Sequence, residues 1–217
     1  MKFRNYQNRT TILIPMRALN EGKSRLSNVL SPSSRSRLVE LLFSQLLKKL
    51  NILRCQFPPV FSDVVVITPC KKVKDLSKEF NAIVLEEPMP NNLNSALTLG
   101  LSWSHENDYN SSLIIPGDII DPLTKDIRKI ITLGKKASEC MIISPSIDFG
   151  TNALFLSLPT RMNLKFGPNS FFEHQKEAAK QSIKTVIAPL DSLKDDLDTG
   201  KDLELLKTKK PSLFKKI

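Results

Sequence analysis

Two groups of residues in this chain are of the types that phosphate chemistry requires. The first is basic. Lys23 and Arg25 stand in Met16-Arg17-Ala18-Leu19-Asn20-Glu21-Gly22-Lys23-Ser24-Arg25-Leu26, directly after the apolar run Thr11-Ile12-Leu13-Ile14-Pro15. Backbone N–H groups beyond such a strand end, with two cations beside them, suit a triphosphate, because charge neutralisation dominates phosphoryl and nucleotidyl transfer. The second is acidic. Asp118 closes Ser112-Leu113-Ile114-Ile115-Pro116-Gly117-Asp118, and Asp195-Asp196-Leu197-Asp198-Thr199 follows far downstream. Two carboxylate positions from distant strand ends can hold one Mg2+ and leave places for phosphate and water. Each signal also has an ordinary reading: a solvated basic loop, a Pro-Gly-Asp turn, or an N-cap formed by Asp198 or Thr199.

Other chemistries fit less well. Gly22-Lys23-Ser24 invites a P-loop reading, but the position that needs the first glycine is Arg17, and Ser31-Pro32 interrupts any long helix after the loop. Ser24 and Ser170 have no adjacent base, so a serine nucleophile is unsupported. His105 and His174 lack a triad-like neighbourhood and read as surface or helix-packing residues. The three cysteines, Cys55, Cys70 and Cys140, are too far apart in sequence for a zinc cluster and odd in number for a disulfide framework. Cys55 and Cys140 read as core or near-core residues, and Cys70 as exposed.

These residues must be positioned by elements that the hydrophobic pattern predicts. Strands are expected at 11–15, 63–68, 82–85, 112–116, 140–144, 152–157 and 184–188. Helices are expected at 33–51, 72–80, 92–103, 123–133, 169–181 and 200–207. In the first helix Ser31 is the N-cap and Pro32 the first residue, with Val39, Leu42, Leu46 and Leu50 on one face. Trp103 ends its helix against the sheet. Continuous apolar strands alternating with helices indicate one doubly wound α/β domain with a mostly parallel sheet flanked by helices. Ligands then bind beyond the carboxyl ends of the strands, where the basic and acidic segments fall.

The single domain spans 1–217, with a Lys-rich tail from about 207 that is expected to be frayed or solvated. The net charge is +10, with much of the excess in Arg4, Arg9, Lys207, Lys209, Lys210, Lys215 and Lys216. Only 6% of residues are aromatic, with no basic–aromatic alternation, which argues against nucleic acid as the main partner. No apolar run approaches the roughly 20 residues that span a bilayer, and the polar first nine residues do not read as a signal peptide. A cytoplasmic, soluble protein with no membrane partner is expected. The oligomeric state is open, a homodimer included.

Several motifs in fixed order carry a resemblance. Ile14-Pro15-Met16-Arg17-Ala18-Leu19, then Gly22-Lys23-Ser24-Arg25-Leu26 and Leu30-Ser31-Pro32, resemble the opening of the 2-phospho-L-lactate guanylyltransferases of coenzyme F-420 biosynthesis. Leu113-Ile114-Ile115-Pro116-Gly117-Asp118 and Asp196-Leu197-Asp198-Thr199 resemble that family's metal-binding segments. Phe149-Gly150-Thr151-Asn152-Ala153-Leu154 and Lys165-Phe166-Gly167-Pro168-Asn169-Ser170-Phe171 resemble its acceptor segments. The chain departs from the family in Arg17 for a lysine, Phe149 for a glycine and Gly200-Lys201 for proline-glutamate.

The resemblance implies a nucleotide-diphospho-sugar transferase-like fold and transfer of GMP from GTP to a small phosphorylated acid, with release of pyrophosphate. It implies Lys23 and Asp118 as catalytic residues, and Mg2+ held by Asp118 with Asp196 or Asp198. Pro15, Lys23, Arg25, Thr68, Pro69 and Asn94 would bind the nucleotide, the last three around guanine. Thr151, Asn152, Lys165, Gly167 and Ser170 would bind the acceptor, 2-phospho-L-lactate or phosphoenolpyruvate. The helix opening near Ser170 is expected to offer free N–H groups to an anion, and Phe149 to narrow or reorient the acceptor pocket. The alternatives are another nucleoside triphosphate, an acceptor such as 3-phosphoglycerate, or a non-catalytic nucleotide- or RNA-binding protein.

Overall fold

Seven strands share one sheet in the order β3-β2-β1-β4-β6-β5-β7. In chain order they are β1 (Thr10–Pro15), β2 (Asp63–Ile67), β3 (Ile83–Leu85), β4 (Ser111–Ile114), β5 (Cys140–Pro145), β6 (Thr151–Ser157) and β7 (Lys184–Ile187). The computed structural model describes residues 9–19, 23–57, 61–87, 92–137 and 139–215. Gly22, Arg4 and Lys216 of the segments read above lie outside the described residues. Every strand pairing is parallel except those of β6, which runs antiparallel to both β4 and β5. The sheet is thus mostly parallel, as the apolar runs imply.

Alternation along the strands divides the core into two layers. Ile12, Ile14, Val64, Val66, Leu113, Ile142 and Phe155 face one layer, and Leu13, Val65, Ile67, Ile114, Met141 and Leu154 face the other. Successive side chains on a strand point to opposite faces, so a strand buried on both sides must be apolar throughout. The first layer is covered by α1 (Pro32–Gln56), α2 (Lys71–Glu79) and α4 (Thr124–Gly134). The second is covered by α3 (Leu93–Glu106) and α5 (Ser170–Lys180), with Trp103 packed against it as expected.

The helix α1 begins as its sequence predicts. The Ser31 hydroxyl accepts the Ser34 N–H at 3.1 Å, and Pro32 is the first residue. It runs five residues beyond the expected end at 51, stopping at Phe57, whose backbone leaves the helical region just before Pro58. The extra turn buries Leu53 but turns Cys55 outward, so Cys55 is exposed rather than core. Cys140 is buried and Cys70 half-buried.

The basic tail is not frayed over its described length. The helix α6 (Gly200–Lys209) continues into a short turn, α7 (Pro211–Phe214), and Leu213 joins a third apolar cluster with Leu26, Leu38, Ile120, Leu197 and Leu206. Lys209 pairs with Asp195 at 2.8 Å and Lys210 with Asp121 at 2.8 Å. The lysines that read as solvated charge are therefore spent on carboxylates flanking the acidic segments. That apolar cluster holds the ends of β4 and α6 together, which places Asp118 beside the 195–199 segment.

Candidate functional site

The carboxyl ends of β1 and β4 and the segment leading into α6 border a cavity of about 480 Å³. Ligand crevices in open α/β sheets occur at such ends. Pro15, Arg25, Asp118, Asp196 and Asp198 line one part of it, and Thr151, Asn152, Gly167 and Ser170 another.

The carboxylates meet because a short backbone pairing brings their segments together. Ile119 bridges Asp196 in antiparallel fashion, the Ile120 N–H donates to Asp195 O at 3.1 Å, and the Leu197 N–H donates to Asp118 O at 3.3 Å. Beneath the turn, a side chain at Gly117 would meet the Met16 thioether, which would have to shift to make room. Thr199 is the N-cap of α6, with the Asp202 carboxylate accepting its N–H at 2.6 Å and that of Asp198 at 3.1 Å. Capping is thus performed by Thr199 and Asp202, which leaves the Asp198 carboxylate to the cavity.

Lys23 does not extend toward open cavity. Its ammonium is paired with the carboxylates of Asp118 and Asp198, the latter at 2.6 Å. Burial opposes the lysine charge, but the two carboxylates outweigh it and hold the group well above the ordinary lysine range. Lys23 itself sits in the left-handed region (φ 55), at the start of a short 3-10 turn, Ser24–Leu26. Arg25 lines the cavity from that turn.

Asp196 has a different environment. Burial first, then the like charges of Asp118 and Asp198, push its carboxyl up to about 6, although Asn152 donates to it at 3.3 Å. Three carboxylates here share one ammonium, and the resulting excess of negative charge is what a hard divalent cation relieves. Among the described residues no group of three or more His, Cys, Asp or Glu side chains is arranged as a metal site. An open set of oxygen donors nevertheless fits Mg2+, which keeps several waters and takes phosphate oxygens to complete its shell.

At the other end of the cavity the polar groups form a chain. The Lys165 N–H donates to His174 Nε2 at 3.0 Å. A neutral ring that accepts there carries its proton on Nδ1, which lies 3.1 Å from Thr151 Oγ1. The Ser170 hydroxyl also donates to Thr151 Oγ1, at 3.0 Å. With two bonds accepted, the Thr151 hydroxyl has its own hydrogen left for a ligand in the cavity it lines. His174 is fully buried, and burial lowers its pKa to about 4, so the ring is neutral at physiological pH. Sequence reasoning read it as a packing residue. It does pack, edge-on to Phe166 at 4.8 Å, but it also holds the Thr151 hydroxyl. Only its i+4 spacing from Ser170 could have suggested this.

Other expected positions are occupied differently. The Asn94 amide is committed to Phe166, donating to its carbonyl at 3.1 Å and accepting its N–H at 2.8 Å. It ties α3 to the segment that leads into α5. Thr68 is fully buried, its hydroxyl oxygen accepting the Cys70 N–H at 3.1 Å, and Pro69 is exposed off the cavity wall. The Lys165 side chain is exposed and does not line the cavity.

The first N–H groups of α5 are not free. Ser170 N–H donates to Gly167 O and Phe171 N–H to Phe149 O, both at 3.1 Å. Anion contact at this helix start therefore falls to side-chain hydroxyls and to Gly167, whose φ of 143 only glycine adopts readily. The Phe149 ring rests on Phe172, with centroids 5.3 Å apart, and narrows nothing.

Residues 10–208 match the family described as guanylyl transferase CofC like. The chain is 31% identical to a 3-phospho-D-glycerate guanylyltransferase of Colwellia psychrerythraea, over 91% of each chain. It is 29% identical to a 2-phospho-L-lactate guanylyltransferase of Methanosphaera stadtmanae, over 90% of this chain and 82% of that one. It is 26% identical to a phosphoenolpyruvate guanylyltransferase of Thermobaculum terrenum, over 88% and 80%. A nucleotidyl transferase of Methanothermobacter thermautotrophicus superposes with a TM-score of 0.66 at 11% identity, over 97% of this chain and all of that one, a likeness of fold alone.

Proposed function

The chain belongs to the CofC-like guanylyl transferase family, and from that premise we propose that it transfers GMP from GTP to a small phosphorylated acid, releasing pyrophosphate, in coenzyme F-420 biosynthesis. The observation that carries this reading is that Asp118, Asp196 and Asp198, with Lys23 paired to two of them, line the same cavity as Thr151 and Ser170.

GTP lies across the ends of β1 and β4, with its phosphates toward Arg25 and Lys23. Asp118, Asp196 and Asp198 would hold Mg2+, which supplies positive charge against the phosphates. The acceptor phosphate sits at the hydroxyls of Thr151 and Ser170 and the backbone of Gly167, beside the Asn152 amide. One of its oxygens, already ionised at neutral pH, attacks the α-phosphorus of GTP, and pyrophosphate leaves. No side chain needs to become a covalent nucleophile. The protein contributes alignment of the two phosphates and neutralisation of their mutual repulsion.

The acceptor class is a phosphate with a neighbouring carboxylate, as in 2-phospho-L-lactate, phosphoenolpyruvate and 3-phosphoglycerate, the substrates in the relatives' names. No helix is long and apolar enough to cross a membrane among the described residues, and the cysteines are free thiols. A reducing cytoplasm suits both.

The test is pyrophosphate release with Mg2+, each of the four nucleoside triphosphates, and each of the three acids. Release with GTP and one acid establishes the reaction and its acceptor. Release with another triphosphate and none with GTP removes the guanylyl assignment.

A further inference from the structure

We propose that His174 is a positioning residue for the transfer: fixed in its Nδ1–H tautomer, it makes the Thr151 hydroxyl a dedicated donor to an oxyanion of the phosphorylated acid. This rests on the transfer reading above and names the group that sets the direction of a hydrogen bond at the acceptor site.

Three elements meet at this ring: α5, which carries it, the start of β6 at Thr151, and the segment before α5 at Lys165. The Lys165 N–H can only donate, and it meets His174 Nε2 at 3.0 Å. That nitrogen therefore presents its lone pair, and a neutral ring carries its hydrogen on Nδ1. The neighbours of Nδ1 agree. Thr151 Oγ1 lies 3.1 Å away, and the Ser170 carbonyl, one turn back along α5, can only accept. The ring is fully buried with Phe166 edge-on to it, and burial keeps it neutral.

The tautomer decides what Thr151 can do. Among the described residues its hydroxyl is bonded to two groups, His174 Nδ1 and Ser170 Oγ. The first bears a hydrogen, and the second donates its own at 3.0 Å. A hydroxyl has two lone pairs and one hydrogen. Both lone pairs face donors, so the hydrogen is left for the cavity that Thr151 and Ser170 line. In the other tautomer Nδ1 would accept, and the Thr151 hydrogen would turn back into the core. The Lys165 peptide, acting through the ring, thus fixes which kind of group the cavity presents. A donor of this sort bonds best to an ionised oxygen, which a phosphate or carboxylate supplies.

Packing alone would not need this residue. Phenylalanine fills the same volume against Phe166 and asks for no partners, whereas both nitrogens of His174 are bonded. The two roles can be separated by substitution. Phenylalanine keeps the bulk and removes the Nδ1 hydrogen, leaving the Thr151 hydrogen free to turn inward. Asparagine loses bulk, but its amide nitrogen reaches the place of Nδ1. Beside the Ser170 carbonyl that amide turns its N–H2 group toward the site and restores the donor.

The experiment has two readouts on the full chain. Nitrogen-15 NMR of the imidazoles, with His174→Asn assigning the signals, reads which nitrogen of His174 carries the hydrogen; Nδ1 is expected. Pyrophosphate release with GTP and Mg2+, and calorimetric binding of 2-phospho-L-lactate, phosphoenolpyruvate and 3-phosphoglycerate, are then compared among the native chain, Thr151→Val, His174→Phe and His174→Asn. Thr151→Val is expected to weaken binding of the acid, and raise its KM, at least about tenfold, the scale of one hydrogen bond to a charged group. His174→Phe is expected to do so at least about fivefold, with KM for GTP within about twofold in both. His174→Asn is expected to stay within about threefold of the native chain for the acid, which covers a poorly folded phenylalanine variant. A hydrogen on Nε2, a His174→Asn protein as impaired as Thr151→Val, or a native chain that binds none of the acids overturns the proposal. So does a His174→Phe protein that melts lower but binds the acid normally, which would assign the ring to packing. Acid binding that follows the expected order without pyrophosphate release would instead overturn the transfer reading and leave the His174 assignment standing.

Discussion

Asn94 and Phe166 are joined by two hydrogen bonds, the amide of one accepting the N–H and donating to the carbonyl of the other. Asn94 lies in the first turn of α3, and Phe166 in the segment that leads into α5. The pair ties the two ends of the cleft into one unit, and no backbone pairing links these segments.

Removing that tie should affect the acceptor most. Each bond contributes on the order of 1 kcal/mol, and the stranded Phe166 peptide adds to the loss. Asn94→Ala is expected to raise KM for the acceptor about tenfold, with KM for GTP within about twofold. Steady-state kinetics varying each substrate in turn check this. Equal increases in both constants would assign Asn94 to general stability.

The acidic cluster should dominate turnover. Asp118→Asn removes a charge that pairs with Lys23, and on the proposed function is expected to lower kcat by at least about a hundredfold. Thermal melting separates this from unfolding. Near-normal turnover in a folded Asp118→Asn protein would remove Asp118 from the metal and phosphate site.

His174 should make the fold acid-sensitive in a defined window. The buried ring stays neutral down to about 4, whereas an exposed one takes a proton near 6.5. Between these values the unfolded chain binds more protons, so stability falls as pH falls, by about 3 kcal/mol across the window. Above 6.5 both states are neutral and the effect vanishes. Urea midpoints from pH 7.5 to 4 should show a shallower loss in His174→Gln than in the native chain. Parallel curves would mean that the ring is not held neutral.

Phe149 occupies a left-handed conformation (φ 64) that favours glycine, yet its ring stacks on Phe172 outside the cavity. Phe149→Gly relieves roughly 1 kcal/mol of backbone strain and loses a stacking contact of similar size. Stability is expected to stay within about 1 kcal/mol, and KM for each phosphorylated acid within about twofold. A change in acceptor preference would place the ring over the acceptor after all.

The C-terminal turn should be structural. Leu213 is buried with Leu26 and with Leu197, which lies within the acidic segment. Leu213→Ala is expected to destabilise the fold by about 2–4 kcal/mol in chemical denaturation. A cost below about 0.5 kcal/mol would return the tail to solvent.

Much of the architecture could be read from the chain alone. Strands buried on both faces must be apolar throughout, so Thr11-Ile12-Leu13-Ile14 and Val64-Val65-Val66-Ile67 announce themselves. Ser31-Pro32 announces a helix start, and Lys23 and Gly117-Asp118 beyond strand ends announce charged residues where a crevice forms. These are local properties, set by the period of the backbone and the steric needs of single residues.

What the side chains do once assembled was not local. Lys23 and Asp198 meet across 175 positions, and Asn94 and Phe166 across 72. A short pairing at Ile119 and Asp196 decides that two acidic segments share one ammonium. Burial keeps His174, read from sequence as a surface or helix-packing residue, neutral between the Lys165 N–H and the Thr151 hydroxyl. Hydrogen bonds at α5 consume the donors that a lone helix start would offer. A residue's type limits which partners it can take. Its actual partner depends on which distant segment the packed core brings within hydrogen-bonding distance, and only the tertiary structure decides that.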